Sequence, residues 1–328
     1  MNLSEWLLIG VARALLPVIQ ALPMSRVATL GRLGGSVAWL LDRRHRRVAL
    51  DNLRAVFPHL DDAARTSLAR ENFRRIGENY ACGMRAATLS WPELQPHLEL
   101  GNLDLLHTTL AAHPERSVIL ALGHFGAFEL FTWTRVAVPG IPLATTYRAL
   151  RQETATRLLL DLRRRSGCHF FERRRDARAL RETLRSKRIL LGLLADQHDG
   201  RGVRVPFLGR EAGTSTAPAL LALRYHCPLL TAFCFRTSHA RWRIEIGDLI
   251  PTRDPDGSRR TLAAIARDMN QSFERAVRRD PANWFWVHRR WKPAPAPAPS
   301  PAISPAHPFP NPARPAPASA AAAPHPRS

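Results

Sequence analysis

Lysine is nearly missing from this chain, with Lys187 and Lys292 the two examples in 328 residues. The 48 basic side chains are therefore almost all arginine, and against 27 acidic ones they leave a formal net charge of +21. Such a surplus points to an anionic partner: nucleic acid, an anionic membrane surface, a phosphorylated substrate or an acidic protein. Nucleic acid stays a minor option, because neither zinc-finger spacing nor the aromatic-basic motif of an RNA-binding sheet occurs. Cysteine is scarce too. Cys82, Cys168, Cys227 and Cys234 share no metal-ligand spacing and read as reduced thiols in a cytoplasm-facing protein. The chain also lacks a Gly-x-Ser-x-Gly elbow and a His-Glu-x-x-His helix, which removes the usual serine-hydrolase and zinc-peptidase chemistries.

Clean membrane spans are missing as well. The run Trp6 to Leu22 approaches the ~20 residues a span needs, but Arg13 and Pro17 interrupt it. Val27 to Leu41 is split by Arg32, Gly34 and Gly35. No basic segment precedes the first run, so a cleaved signal peptide is not expected. Two placements suit residues 1–41: a tilted or interfacial membrane helix, or helices packed on the domain. The basic cluster Arg43, Arg44, Arg46 and Arg47 follows directly and favours the membrane, as an anionic cytoplasmic leaflet would attract it.

What is present is organised around residues 117–129. The stretch Ser117 to Leu122 begins it as an unbroken apolar run, the mark of a strand buried on both faces of a mostly parallel sheet. His124 and Glu129 follow, five positions apart. On one uniform helix they would stand roughly 140° apart, and on a strand they would face opposite ways. They meet only if the backbone bends between them, and Gly126 is the place for that bend. The expected unit is strand, tight turn carrying His124, then a helix whose first turn carries Glu129. A carboxylate beside an imidazole suits a general base.

The design recurs downstream. Apolar strands over 141–146, 189–195 and 228–235 end at Arg148, Asp196 and Arg236, with helical segments at 152–165, 176–186 and 217–225 between them. The expected fold is α/β, a mostly parallel mixed central sheet flanked by helices, with the N-terminal helical segment attached. Sites in such sheets lie beyond the carboxyl ends of the strands, where His124, Arg148 and Asp196 all fall. Trp91 to Leu106 reads as a helical connection, and Arg241 to Ile250 as an edge strand. Three regions result: the membrane-associated segment 1–41, an α/β domain over 42–292, and a Pro/Ala-rich tail over 293–328 expected to be disordered.

The motifs resemble those of the lipid A biosynthesis acyltransferase family, within the wider glycerolipid acyltransferase group. Gly123-His124-Phe125-Gly126-Ala127-Phe128-Glu129 is similar to its His-x4-Glu signature, and Asn52-Leu53-Arg54-Ala55-Val56-Phe57-Pro58 to its amino-terminal Asn-Leu…Phe-Pro segment. Tyr147-Arg148-Ala149 resembles Tyr-Arg-Pro with Ala for Pro, and Arg163 matches its functional arginine. Leu194 to Gly200 resembles a Pro-Asp-Gln-Asp-x-Gly stretch with His198 inserted, and Trp286-Val287-His288-Arg289-Arg290-Trp291-Lys292 matches the closing motif.

The resemblance implies acyl transfer from a thioester, on acyl carrier protein or as acyl-CoA, to a hydroxyl of a lipid A precursor. No cofactor beyond that co-substrate is expected, and the site would face the cytoplasmic side of the inner membrane. His124 would act as base with Glu129 orienting it. Backbone N–H groups at the start of the helix after Gly126, helped by its dipole, would receive the oxyanion. Arg148 and Arg163 would bind lipid phosphate or carboxylate. Asp196 would orient an arginine or the acceptor, unless it is a strand-end carboxylate with a structural role. Asp196, His198 and Asp199 stand too close in sequence to cage a metal, so none is expected. Trp284 to Lys292 reads either as an interfacial anchor or as core packing. Acylation of another lipid is the alternative activity, and a noncatalytic membrane or nucleic-acid binder the alternative class.

Overall fold

The structure is a computed structural model that describes residues 10, 14, 16–150 and 152–293. Residues 6–9, 11–13 and 15 of the first apolar run, and the whole Pro/Ala tail from residue 294, lie outside the described residues.

Residues 16–21 are helical, and three longer helices follow. The first, α1 (Met24–Leu41), is followed by α2 (Arg43–Val56), and Asp42 between them accepts the His45 N–H at 3.0 Å as an N-cap. Pro58 stops α2, and Asp61 caps α3 (Asp62–Ala86) through the Ala64 N–H at 2.7 Å. Helix α1 lies against α3 at backbone contact. A Cβ on Gly31 would stand 2.6 Å from the Gly77 carbonyl oxygen, so no larger residue permits this approach. Met24, Val27, Ala28 and Trp39 of α1 are buried in the cores of the α/β domain. Residues 24–41 thus pack against the α/β core on one face.

After a short α4 (Trp91–Leu94) comes β1 (Leu98–Gly101), a strand where a helical connection was expected. Its register partner Trp242 lies fully buried, and tertiary pairing overrides the local pattern. Then follow α5 (Asp104–Ala112), β2 (Val118–Leu122), a 3₁₀ helix (Phe128–Ala137), β3 (Leu143–Tyr147), α6 (Glu153–Arg164), β4 (His169–Glu172), α7 (Ala177–Ser186) and β5 (Leu190–Leu194). A hairpin of β6 (His198–Phe207) and β7 (Arg210–Thr214) forms a separate two-stranded sheet. The chain continues through α8 (Ala217–Tyr225), β8 (Leu229–Ser238), β9 (Arg241–Ile250) and α9 (Leu262–Arg279).

The seven-stranded sheet has the order β1-β9-β8-β2-β5-β3-β4. All its pairings are parallel except β8 with β9. Strand β9 is therefore covered by β1, one place in from the expected edge. The central strand β2 is buried at every residue, and its alternation divides the core. Ile119 and Ala121 join the cluster with α7, α8 and α9, while Val118, Leu120 and Leu122 join the one with α5 and the 3₁₀ helix. Neighbouring β5 and β8 run the same way as β2 and deliver their carboxyl ends beside it, where a site is expected.

Candidate active site

The register of two strands builds the centre. Leu122 of β2 pairs with Leu194 of β5, and the Ala195 N–H reaches the Leu122 carbonyl at 2.9 Å. His124 and Asp196, each two residues further on, come out side by side. The His124 backbone N–H donates to Asp196 Oδ2 at 2.8 Å, and His124 Nδ1 lies 2.7 Å from Oδ1. Trp284 Nε1 donates to Oδ2 at 2.8 Å. Asp196 is almost fully buried, and that burial pushes its carboxyl pKa up. The charge and hydrogen bond of His124 and the Trp284 donor more than offset it, holding the carboxyl below its usual range. An ionised Asp196 can only accept, so Nδ1 of His124 carries a hydrogen, and in the neutral ring Nε2 is the bare nitrogen that can act as a base.

Glu129 takes a different partner. It sits in the first turn of the 3₁₀ helix and binds Arg163 of α6 through both oxygens, with Arg163 Nε at 3.0 Å from Oε2 and Nη2 on Oε1. His124 and Glu129 are not joined by a hydrogen bond among the described residues; the ring of Phe128 stands edge-on to the imidazole, 5.1 Å between centroids. Burial and then the charge of Glu129 push the nearby Tyr80 phenol up to about 12. The bend is at Gly126, whose φ is +60° and whose missing Cβ would collide with the Cys234 carbonyl oxygen. The Gly126 N–H is already used, donating to Asn283 O at 3.0 Å, so it is no oxyanion donor. Arg148, beyond β3, is exposed on the rim and takes no part in either cluster.

The chain's closing segment completes the wall, which the sequence pattern had left as anchor or packing. Trp284 and Trp286 are buried with rings 4.7 Å apart, and Phe125 bridges to Trp284 as an isolated β-pair. Arg290 is fully buried, where it donates to the Gly213 carbonyl and to Thr214 Oγ1 at 2.8 Å. Burial pushes its guanidinium down to about 10. Asn52 Nδ2 clamps the segment from α2, donating to the carbonyls of Trp286 at 2.7 Å and His288 at 2.8 Å. The Asn52 to Pro58 motif therefore serves this wall.

His124, Glu129, Arg148 and Arg163 all line one cleft of about 1810 Å³. That exceeds the ~300–1,000 Å³ of ordinary small-molecule pockets and leaves room for long chains. One side runs down the sheet along Leu122, Leu194, Leu120, Gly192 and Leu190, so its depth is apolar. The rim carries Arg148, Arg174, Arg201, Arg224 and Lys292, none with an ion pair among the described residues. No three His, Cys, Asp or Glu side chains gather there as metal ligands would, among the described residues.

Residues 2–293 match the family described as bacterial lipid A biosynthesis acyltransferase. The chain belongs to that family. A lipid A biosynthesis palmitoleoyltransferase of Escherichia coli (strain K12) is 26% identical over 277 residues, 83% of this chain and 86% of the relative. A lipid A biosynthesis acyltransferase of Shigella flexneri matches to the same extent, 26% over 277 residues. The protein is accordingly an acyltransferase with an acyl donor and a lipid acceptor.

Proposed function

We propose that this acyltransferase moves a fatty acyl chain from a thioester, on acyl carrier protein or CoA, to a hydroxyl of a lipid A precursor, with His124 as general base and Asp196 as its orienting carboxylate. The observation that carries the mechanism is the double hydrogen bond of Asp196 to His124. Nε2 takes the acceptor's hydroxyl proton as its oxygen attacks the thioester carbonyl. The C–O bond forms, charge collects on the carbonyl oxygen, and Asp196 stabilises the imidazolium. The C–S bond then breaks and the thiolate leaves with the proton from Nε2. No enzyme nucleophile is consumed, in keeping with the missing serine elbow.

Glu129 works through Arg163. Its two oxygens occupy Nε and Nη2, so the guanidinium is locked with its remaining edge toward the cleft. Arg163, together with Arg148 on the rim, suits the phosphates or carboxylates of a lipid acceptor. The apolar depth along β2 and β5 suits the acyl chain.

The reaction takes place at the cytoplasmic face of the inner membrane, with α1 in the interface. No helix among the described residues is long and apolar enough to cross a membrane. Yet α1 exposes Leu30, Leu33, Val37, Leu40 and Leu41 by 51–76% on its outer face. Arg43, Arg44 and Arg47 stand exposed directly after it. An apolar stripe edged by arginines suits a helix lying in an anionic leaflet, which needs no span. The test is mass spectrometry of lipid A precursor incubated with a fatty acyl thioester and wild-type protein, or its His124→Ala and Asp196→Asn variants. One added acyl group with wild type alone is expected.

A further inference from the structure

The cleft holds a second imidazole, and it is arranged oppositely to the first. His288 Nε2 accepts the backbone N–H of His198 at 3.0 Å. A backbone amide can only donate, so Nε2 must be bare. A protonated ring would turn N–H against N–H and break the contact. In the neutral ring the hydrogen therefore sits on Nδ1. Nδ1 takes no hydrogen bond among the described residues and is not among the buried unsatisfied atoms, while His288 itself lines the cleft.

The backbone that carries this ring is held by two hydrogen bonds of its own. The His288 N–H reaches the Phe285 carbonyl at 3.3 Å, and its carbonyl takes Asn52 Nδ2 at 2.8 Å. One three-residue stretch sets both imidazoles, since the carboxylate of Asp196 fixes His124 and the amide of His198 fixes His288. The charged neighbours agree. Burial pushes the His288 imidazole down to about 4; Asp196 opposes this, whereas Lys292, His124 and Arg290 add to it.

We infer that His288 is a catalytic hydrogen-bond donor, presenting Nδ1–H to the acyl carbonyl oxygen as that oxygen becomes the tetrahedral oxyanion. Its Nε2 is occupied, so it cannot compete with His124 as base. It stays uncharged, so it does not oppose the imidazolium forming on His124. Phosphate is better served by the rim arginines; a neutral donor inside the cleft suits a carbonyl whose charge appears only in the transition state. The inference rests on the acyl-transfer reading above.

The experiment compares wild type, His288→Phe (ring kept, donor lost) and His288→Asn (donor kept) with a fatty acyl thioester and lipid A precursor. Alongside, the ring ¹⁵N shifts of His288 are followed from pH 5 to 8, with and without a non-hydrolysable ketone analogue of the thioester. His288→Phe is expected to lower kcat about 100-fold with the thioester KM and melting temperature little changed, the effect of losing one oxyanion donor. His288→Asn should recover most of it. The wild-type ring should hold hydrogen on Nδ1 throughout, and Nδ1 should shift when the ketone binds.

A loss confined to KM, an undiminished kcat in His288→Phe, or a ring that titrates between pH 5 and 8 would overturn the inference. Should the phenylalanine variant not fold, the ¹⁵N response to the ketone decides alone. Wild-type inactivity with this substrate pair would sink the acyl-transfer reading by itself. The ketone response would still report on the donor, with no Nδ1 shift counting against it.

Discussion

His124 and Asp196 are 72 residues apart in the chain, yet adjacent, because Leu122 and Leu194 are register partners on neighbouring parallel strands. Each of the two side chains stands two residues beyond its partner leucine. The carboxylate that His124 contacts is thus supplied by sheet topology, while the carboxylate five positions along the chain is spent on Arg163.

This separates two couplings that kinetics can resolve. Asp196→Asn should lower kcat by about 10³–10⁴-fold, the scale for a triad carboxylate whose loss frees the wrong tautomer. Added to His124→Ala it should cost almost nothing more, since the two act as a unit. Glu129→Gln and Arg163→Gln should be non-additive with each other, by about 0.5–3 kcal/mol, and additive with Asp196→Asn. Strong coupling between positions 124 and 129 instead would restore the pairing the motif suggests.

The acyl chain is expected to lie over Gly192, on the cleft face of β5. A Cβ there would stand 2.9 Å from Leu122 Cδ1, so alanine asks a small shift of one side-chain end and valine intrudes on the cleft. Gly192→Val should move the preferred donor to a shorter chain while sparing stability. Competition assays with mixed thioesters read this, and an unchanged preference places the chain elsewhere.

Membrane attachment is testable at α1 without deleting it. Removing residues 1–41 would strip Met24, Val27 and Trp39 from the core and unfold the domain. Leu33→Glu with Leu40→Glu alters the exposed face alone. This pair should release the protein from anionic vesicles and lower turnover on embedded acceptor, while turnover on detergent-dispersed acceptor persists. Retention on the vesicles would move the anchor away from α1.

Acid should destabilise the protein early. His288 is held down at about 4 when folded, against about 6.5 for a free histidine. Between those values the unfolded chain binds a proton that the folded one excludes, so stability falls as pH drops through that window. Asp196 adds a second loss below the usual carboxylate range, since its folded pKa is depressed. Melting temperatures from pH 7 to 4 should show the decline, and His288→Asn should flatten it.

Much of this was legible in the chain. The buried strand before His124, the bend at Gly126 and the strand ends at Arg148 and Asp196 follow from apolar runs and one glycine. Strand β1 was not, because Leu98 to Gly101 has too few residues for a period and exists through pairing with β9. The partner of His124 was not either. Register between distant strands leaves no local mark, so sequence proximity favoured Glu129. Trp284 and His288 were visible only as part of an aromatic-basic segment, and Asn283 not at all, since indole donors and backbone bridges acquire meaning from what lies across from them.

The central claim is that His124, oriented by Asp196, is the base for acyl transfer to a lipid A precursor. Its most direct test is the mass of that precursor after incubation with a fatty acyl thioester and either wild type or folded His124→Ala protein. One added acyl group with wild type and none with the variant is the predicted result. Comparable acylation by the variant would contradict it.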